Sequence, residues 1–333
     1  MIRVLQLGNY GEDGGGISAV LKEYSRWTWP TSAHRFVDTY ATDTRLLGFF
    51  RLAAASAAVW RSRRDVEVVQ VHLSQRGSFV REGLLVRLAA RLSLPVVVTI
   101  HGSSFTEFAR RRPRIVKTTL RHADAVAVLT SQTEKALRTL GVSNVERVPN
   151  GVSAARDSGS GQRSGVVFAG EVSTRKGADV LASAWPEVTE AVADARLDVY
   201  GNPADVSFPA SPGVVVHGRR PREEVRAAVA RCSILVLPSR AEAFPMSILE
   251  AMSAGAAVVS TDVGAIPEMI DDPDQIVRAG DEAGLREALI RLLKDPSLAS
   301  AAGERNKARF ESEFASHVVV RKYEAIYSAV LSS

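Results

Sequence analysis

Short apolar runs rich in β-branched residues alternate along the first half of the chain with longer amphipathic stretches. Such runs are typical of strands buried on both faces, and the stretches between them have the length of helices. The pattern predicts strands near residues 4–7, 35–40, 67–73, 95–100, 125–129 and 145–148. Regular alternation of strand and helix favours a parallel sheet covered by helices on both faces.

The second half of the chain shows the same pattern without an obvious sequence repeat. Residues 153–164 are small, polar and rich in glycine, which is typical of a linker. The pattern then predicts strands near residues 166–168, 196–200, 214–217, 234–237 and 257–260, and a final helix within residues 316–333. The predicted fold class is therefore α/β, with two doubly wound, Rossmann-like parallel-sheet domains at residues 1–152 and 165–315.

The net charge of +5 is divided unevenly between the two halves. Residues 1–150 contain 22 Lys and Arg against 12 Asp and Glu, whereas the rest contains 20 against 25. No aromatic-rich platform or zinc-ligand spacing accompanies the basic half, so we do not expect nucleic acid as a partner. An anionic membrane surface or a phosphorylated compound fits the same charge.

The sequence predicts a cytoplasmic protein. Residues 1–8 have the pattern of a strand rather than a signal peptide, and no apolar run approaches the roughly 20 residues of a membrane span. The single cysteine, Cys232, borders an apolar strand and is predicted to be a buried small hydrophobe. Contact with the inner face of the membrane would then be peripheral, through the basic half.

Two carboxylates flank a predicted helix start in the second half. Pro245 favours the first turn of a helix and Gly255 favours its end, so Glu242 lies in the preceding loop and Glu250 on the helix. Two such glutamates are usually solvated surface charges. The unpaired amides of a helix start can also bind an anion, and a diphosphate resting there would place hydroxyl-rich groups near both carboxylates. A nucleotide sugar has that shape.

A longer set of small, apolar and turn residues surrounds these glutamates. The set is Ser239, Glu242, Phe244, Pro245, Leu249, Glu250, Ala251, Met252, Gly255, Val258, Val259, Thr261, Gly264, Pro267 and Glu268. This segment resembles the donor-binding signature of retaining glycosyltransferases of family 4. Three positions depart from the common family pattern, with Ala243 and Ala265 in place of Gly and Ala257 in place of Pro.

The resemblance implies the GT-B architecture, in which two Rossmann-like domains face each other across a cleft and the last helix returns to the first domain. It implies retaining transfer of a hexose-type sugar from a UDP- or GDP-sugar to a hydroxyl acceptor, lipid-linked or a polysaccharide precursor, without a cofactor. Glu250 is expected at the ribose and Glu242 at the sugar hydroxyls. The donor-binding residues implied are Gly15, Gly16, Asn150, Arg175, Lys176, Glu242, Ala243, Phe244, Pro245, Met246, Ser247 and Glu250.

Glycines and strand ends supply the expected site of the first domain. The loop at residues 8–16 joins a strand to a helix start and could bind phosphate, although its spacing disfavours a dinucleotide-binding oxidoreductase because Ala19 replaces the third glycine. A purely structural turn is the alternative. By resemblance, Gly15 and Gly16 approach the donor, and His101, at a strand end, hydrogen-bonds the transferred sugar. His72 could line the acceptor side, although a structural role is favoured.

Cations complete the predicted site. Arg175 and Lys176 precede a helix and could neutralise a departing diphosphate without a metal. The one D-x-D, at residues 272–274, has the pattern of a surface turn, so we expect no essential divalent metal. An aromatic and a cation cluster are predicted on the acceptor side: Phe105, Arg110, Arg111 and Arg112. A solvated face is the alternative for these arginines.

Two other functions are compatible with this pattern. A nucleotide-sugar epimerase or hydrolase could use the same two domains. A subunit that binds a sugar nucleotide without turnover could use them as well. Transfer is favoured because the signature segment is long and specific.

Overall fold

The chain forms two units in a computed structural model. The structure describes residues 1–11, 15–39, 45–154 and 163–332, except for the side chains of residues 45–47. Unit 1 comprises Met1–Gly151 with Ser316–Ser333, and unit 2 comprises Val152–Ala315. Most of the predicted linker, and residue 40 of the predicted second strand, lie outside the described residues.

Unit 1 contains a six-stranded sheet in which every neighbouring pair is parallel, in the order β2-β1-β3-β4-β5-β6. The strands are β1 (Ile2–Gly8), β2 (Ser32–Asp38), β3 (Val68–Leu73), β4 (Val96–Ile100), β5 (Ala125–Val128) and β6 (Val145–Arg147). The helices are α1 (Gly15–Tyr24), α2 (Arg45–Ser62), α3 (Gly77–Arg91), α4 (Phe105–Arg111), α5 (Pro113–Leu120) and α6 (Ser131–Thr139). All residues of β3, β4 and β5 are buried, as the continuous apolar runs predicted.

Unit 2 contains a second parallel sheet, in the order β12-β11-β10-β7-β8-β9. The strands are β7 (Val166–Ala169), β8 (Leu197–Tyr200), β9 (Val214–Gly218), β10 (Ile234–Leu237), β11 (Ala257–Thr261) and β12 (Ile276–Val277). The α-helices are α7 (Ala178–Ala191), α8 (Arg222–Arg231), α9 (Met246–Ala254), α10 (Ile266–Met269), α11 (Glu282–Lys294) and α12 (Pro296–Glu313), with 3-10 helices at Thr174–Lys176 and Pro273–Gln275. The sequence did not predict β12, which is too short to give a pattern. The α/β, doubly wound fold class is confirmed.

The last helix, α13 (Ser316–Ser332), belongs to unit 1. The hydroxyl of Tyr323 lies 3.3 Å from Thr99 Oγ1 in β4, and Gln6 Nε2 in β1 donates to the hydroxyl of Tyr327 at 3.3 Å. Tyr323 and Tyr327 therefore connect α13 to buried polar side chains of β1 and β4. None of the helices in the described part of the chain is long and apolar enough to cross a bilayer.

The strand orders determine where ligands can bind. In unit 2 the order reverses between β7 and β10, and in unit 1 between β1 and β3. Open parallel sheets bind ligands beyond the carboxyl ends of their strands at such reversals. The loops that follow β7 and β10 are therefore the candidate positions in unit 2.

Candidate active site

Two loops meet at the strand reversal of unit 2. Gly177 adopts a left-handed φ of 71°, and a Cβ atom built there would lie 1.8 Å from the carbonyl oxygen of Pro238. Only glycine allows the loop after β7 to approach the loop after β10 this closely. The approach places Lys176 Nζ 2.5 Å from Glu242 Oε1, with only 15% and 7% of the two side chains exposed. The structure thus joins two predicted site residues that are distant in sequence.

Glu242 is held from two further directions. Ser239 Oγ donates to the same carboxylate oxygen, Oε1, at 2.8 Å. Gly264, with a φ of 58°, packs on the backbone of Glu242, where a Cβ atom would lie 2.1 Å from the carbonyl oxygen. Ala265 donates its amide to the carbonyl oxygen of Ala243 at 3.1 Å from an ordinary φ of −82°, so alanine at 265 needs no left-handed backbone. The carboxylate is therefore preorganised, with no described residue donating to its Oε2.

The neighbouring cation has a different environment. Arg175 is 51% exposed, and its guanidinium lies 3.3 Å from the carboxylate of Glu171. The structure therefore does not bring Arg175 together with Lys176 and Glu242. Ser173, in the same loop, has a buried hydroxyl that is hydrogen-bonded to no described residue. Ser173 could not be identified from the sequence, because only its burial distinguishes it.

Helix α9 begins and ends where the sequence predicted. It starts after Pro245 and ends at Gly255, which has a left-handed φ of 74°. No side chain caps its first turn and no acidic residue lies there, so the amides of Met246 and Ser247 keep their capacity to bind an anion. In the loop before the helix, Phe244 is buried and its ring packs against Phe314, with 5.8 Å between centroids.

Glu250 lies on α9 and is engaged by two arginines of α8. Its Oε1 accepts from Arg222 Nη2 at 3.1 Å and lies 3.7 Å from Arg226 Nε. The arginines are one helical turn apart, so both reach the same carboxylate. The sequence analysis did not name these arginines, although their spacing of four residues between two predicted strands was a usable signal. Arg222 and Arg226 balance the charge of Glu250, so its carboxylate can act towards a ligand as a hydrogen-bond acceptor.

Unit 1 places two histidines in contact at the end of its sheet. His72 Nδ1 lies 2.8 Å from His101 Nε2, and His72 Nε2 lies 2.7 Å from Gln6 Oε1. The Gln6 oxygen can only accept, so His72 carries its proton on Nε2 and accepts from His101 Nε2–H. Burial lowers the pKa of His101 to about 3 and that of His72 well below its usual range, so both rings are neutral at pH 7. His101 is therefore left with Nδ1 as an acceptor.

Two acceptor-side predictions need correction. His72 is only 1% exposed, so its ring does not line an acceptor surface, which agrees with the structural role that the sequence favoured. Phe105 is fully buried and packs against Phe79 in the core, with 5.8 Å between ring centroids, so it is unavailable to a ligand or a membrane. Arg110, Arg111 and Arg112 are exposed. The sequence does not show which of these side chains are buried and which are exposed, because an aromatic residue beside cations can lie on the buried or the exposed face of a helix.

The remaining predicted residues of unit 1 lie at the start of a helix and after a strand. Gly15 begins α1 with a left-handed φ of 66°, and a Cβ atom at Gly15 or Gly16 would meet no atom of the described residues within 4 Å. Packing against the described residues therefore does not explain either glycine. Asn150 follows β6 and is 2% exposed, and its buried Oδ1 accepts no hydrogen bond from the described residues.

The carboxylates of the D-x-D segment are engaged by arginines. Asp272 Oδ2 lies 2.5 Å from Arg305 Nη2, and Asp274 Oδ2 lies 2.8 Å from Arg291 Nη1. Within the described ranges, no cluster of three or more His, Cys, Asp or Glu could hold a metal ion. The pairs identify this segment as part of a surface ion-pair arrangement.

We expect unit 1 to lose stability between pH 6.5 and pH 4. Burial lowers the pKa of His34 to about 4 and that of His101 to about 3, against an ordinary value of 6.5. Below pH 6.5 these histidines bind protons in the unfolded chain but not in the folded chain. Their contribution to the free energy of unfolding is therefore fully present above pH 6.5, and it falls by about 1.4 kcal/mol per pH unit for each histidine as the pH decreases. Unfolding temperatures at pH 7.5 and pH 5 test this, with His34→Gln expected to flatten the dependence. Identical unfolding temperatures at the two pH values would contradict it.

The structure is an α/β protein with two doubly wound sheets, and the strand reversal of the second sheet carries uncapped amides and a lysine–carboxylate pair. Residues 163–295 match the family described as glycosyl transferases group 1, and residues 12–151 match the glycosyl transferase 4-like domain. The chain belongs to the group 1 glycosyltransferases of family 4.

Individual proteins are similar to parts or to all of the chain. N-acetyl-alpha-D-glucosaminyl L-malate synthase of Bacillus anthracis is 36% identical over 33% of this chain and 29% of its own length. Phosphatidyl-myo-inositol mannosyltransferase of Mycobacterium leprae (strain TN) is 30% identical over 57% of this chain and 56% of its own. These matches span less than two thirds of either relative. The crystal structure of Anabaena HepE in complex with UDP has a TM-score of 0.76 at 14% identity, covering 98% of this chain and 100% of that one. The fold is that of GT-B glycosyltransferases.

Proposed function

We propose that the chain is a retaining glycosyltransferase that moves a hexose-type sugar from a UDP- or GDP-sugar to a hydroxyl acceptor. The observation that carries this proposal is the Lys176–Glu242 pair, held at the strand reversal of unit 2. The UDP in the Anabaena structure supports a nucleotide diphosphate as the leaving group. Retention at the anomeric carbon rests on the resemblance of residues 239–268 to the family signature.

Each engaged group has a distinct role in this proposal. Lys176 and the free amides of α9 stabilise the charge that develops on the departing diphosphate. Glu242 accepts hydrogen bonds from sugar hydroxyls through Oε2, because its Oε1 is already bound by lysine and serine. Glu250 accepts from the ribose, with Arg222 fixing its orientation. His101 Nδ1 accepts from a hydroxyl of the transferred sugar.

Product analysis with labelled donors tests the proposal. The protein is incubated with radiolabelled UDP- and GDP-hexoses and a panel of hydroxyl acceptors, and the anomeric configuration of the product is read by NMR. We expect a glycosylated acceptor with the configuration of the donor. Epimerised donor or free sugar would assign an epimerase or a hydrolase, and binding without turnover would assign a non-catalytic subunit.

Transfer is expected to be independent of divalent metal. Lys176 and the α9 amides carry out the charge neutralisation that a magnesium ion performs elsewhere, and the D-x-D carboxylates are bound by arginines. Saturating EDTA should leave the initial rate within about twofold of its value without chelator. A hundredfold loss that Mg²⁺ or Mn²⁺ restores would reassign Asp272 and Asp274.

Peripheral contact with an anionic membrane is part of the proposal, through a surface different from the one the sequence indicated. Helix α2 exposes Phe49, Phe50 and Trp60 by 68%, 60% and 55%, and it contains no acidic residue. Exposed aromatics on a basic domain suit a membrane interface.

Vesicle co-sedimentation tests this contact. We expect binding to phosphatidylglycerol vesicles but not to phosphatidylcholine vesicles, with a decrease at high salt because the charges are screened. The double substitution of Phe49→Ser and Phe50→Ser should abolish binding to the phosphatidylglycerol vesicles. Val215→Ser with Val216→Ser, on exposed apolar positions of unit 2, is the matched control. Equal binding to both vesicle types, or none, would contradict the proposal.

A further inference from the structure

A cavity of about 380 Å³ lies in unit 1 among the start of α3, α4 and α5. Its cationic lining comes from Arg76, Arg111 and Arg112, and its apolar lining from Val80, Phe108 and Ile115. Arg76 follows the end of β3, and α4 follows the end of β4. The cavity therefore lies at the same edge of the sheet as His101.

The charge of the cavity is not neutralised by its own residues. The carboxylate of Glu107 lies 2.5 Å from Arg111 and neutralises the charge of Arg111 only. Arg76 and Arg112 form an ion pair with no residue in the described ranges. The first turn of α3 adds a partial positive charge, since it contains no acidic residue and no side chain caps it. Two arginines thus remain available to a ligand.

The backbone at Arg76 makes the presence of an arginine there unexpected. Its φ is 56° and its ψ is −125°, a conformation that favours glycine and costs other residues free energy. Local folding therefore does not account for a long cationic side chain at this position. A requirement for positive charge at the cavity would account for it.

We propose that this cavity binds a phosphate group that carries an apolar chain, as part of the acceptor. A free phosphate would use the arginines alone and leave the surface of Val80, Phe108 and Ile115 uncovered, whereas an alkylated phosphate covers both. The inference rests on the proposed function, because it names the class of acceptor. Binding can be measured without donor or turnover, so its failure is distinguishable from a failure of transfer.

Isothermal titration calorimetry with decyl phosphate, below its micelle-forming concentration, tests the site in the full chain. Inorganic phosphate and decyl maltoside are the two comparison probes. We expect saturable binding of decyl phosphate at one site and at least about tenfold weaker binding of either comparison probe.

Variants locate the binding. Arg76→Gln with Arg112→Gln should weaken the binding of decyl phosphate at least about tenfold, because both charge-assisted contacts to the phosphate are lost. Arg114→Gln removes an exposed arginine of the same segment that does not line the cavity, and it should change the affinity less than twofold. Arg76→Gly removes the charge while relieving the backbone, so weakened binding with an unchanged or raised unfolding temperature supports the site. Equal weakening in the Arg114→Gln control, or equal binding of inorganic phosphate, would overturn the inference.

Discussion

Lys176→Ala is expected to lower kcat/KM for the nucleotide-sugar donor by about 10²- to 10³-fold, the usual cost of removing one preorganised donor to a developing anion. The lysine is 15% exposed and lies 2.5 Å from Glu242, so its ammonium acts in a largely water-excluded site. Its loss also leaves Glu242 with Ser239 as the remaining described donor to its carboxylate. The affinity for free UDP and GDP should fall with the rate, since both report the diphosphate contact.

Arg175→Ala is the matched control for that substitution. The arginine precedes Lys176 in the chain, but its side chain is 51% exposed and paired with Glu171. Surface pairs of this kind contribute about 0 to 1 kcal/mol, so we expect less than about a fivefold change in kcat/KM. Steady-state kinetics and thermal shift with UDP and GDP measure both variants. Equal losses in the two would refute the distinction that the geometry makes.

His101→Phe is expected to lower kcat by about 10²-fold while leaving the affinity for nucleoside diphosphate within about twofold. The neutral imidazole offers Nδ1 as an acceptor because its Nε2–H is given to His72. Phenylalanine keeps the volume of the ring and removes the acceptor. The nucleotide contacts proposed above lie in unit 2, so binding and turnover should separate.

Two further variants make that result specific. His72→Gln should lower kcat about tenfold, because it disturbs the orientation of His101 without touching a substrate. His317→Gln, at an exposed histidine of α13, should leave kcat unchanged. The kcat profile should also show no step near pH 6.5, since burial holds the pKa of His101 near 3. A parallel loss of nucleotide affinity in His101→Phe would indicate a structural role instead.

The alternation of strands and helices could be predicted because its causes are local. Continuous Val and Ile runs predicted central strands such as β3, β4 and β10, which are buried throughout. The edge strands β2 and β9 were also predicted, but they are partly exposed. Pro245 and Gly255 determine the ends of α9 through their own backbone preferences. Glu242 and Glu250 could be named because they lie within one signature segment.

Only the tertiary structure decided which side chains meet. Strand order places β7 beside β10, and this order brings Lys176 to Glu242 across 66 residues of chain. The same cause pairs Glu250 with the arginines of α8 and His101 with His72. Burial also separated aromatics that look alike in sequence, with Phe105 in the core and Phe49 exposed. The sequence by itself determined the elements and the candidate chemistry, because periodicity and turn preferences are local. The contacts required the packed sheet, because they depend on neighbours that the chain order does not specify.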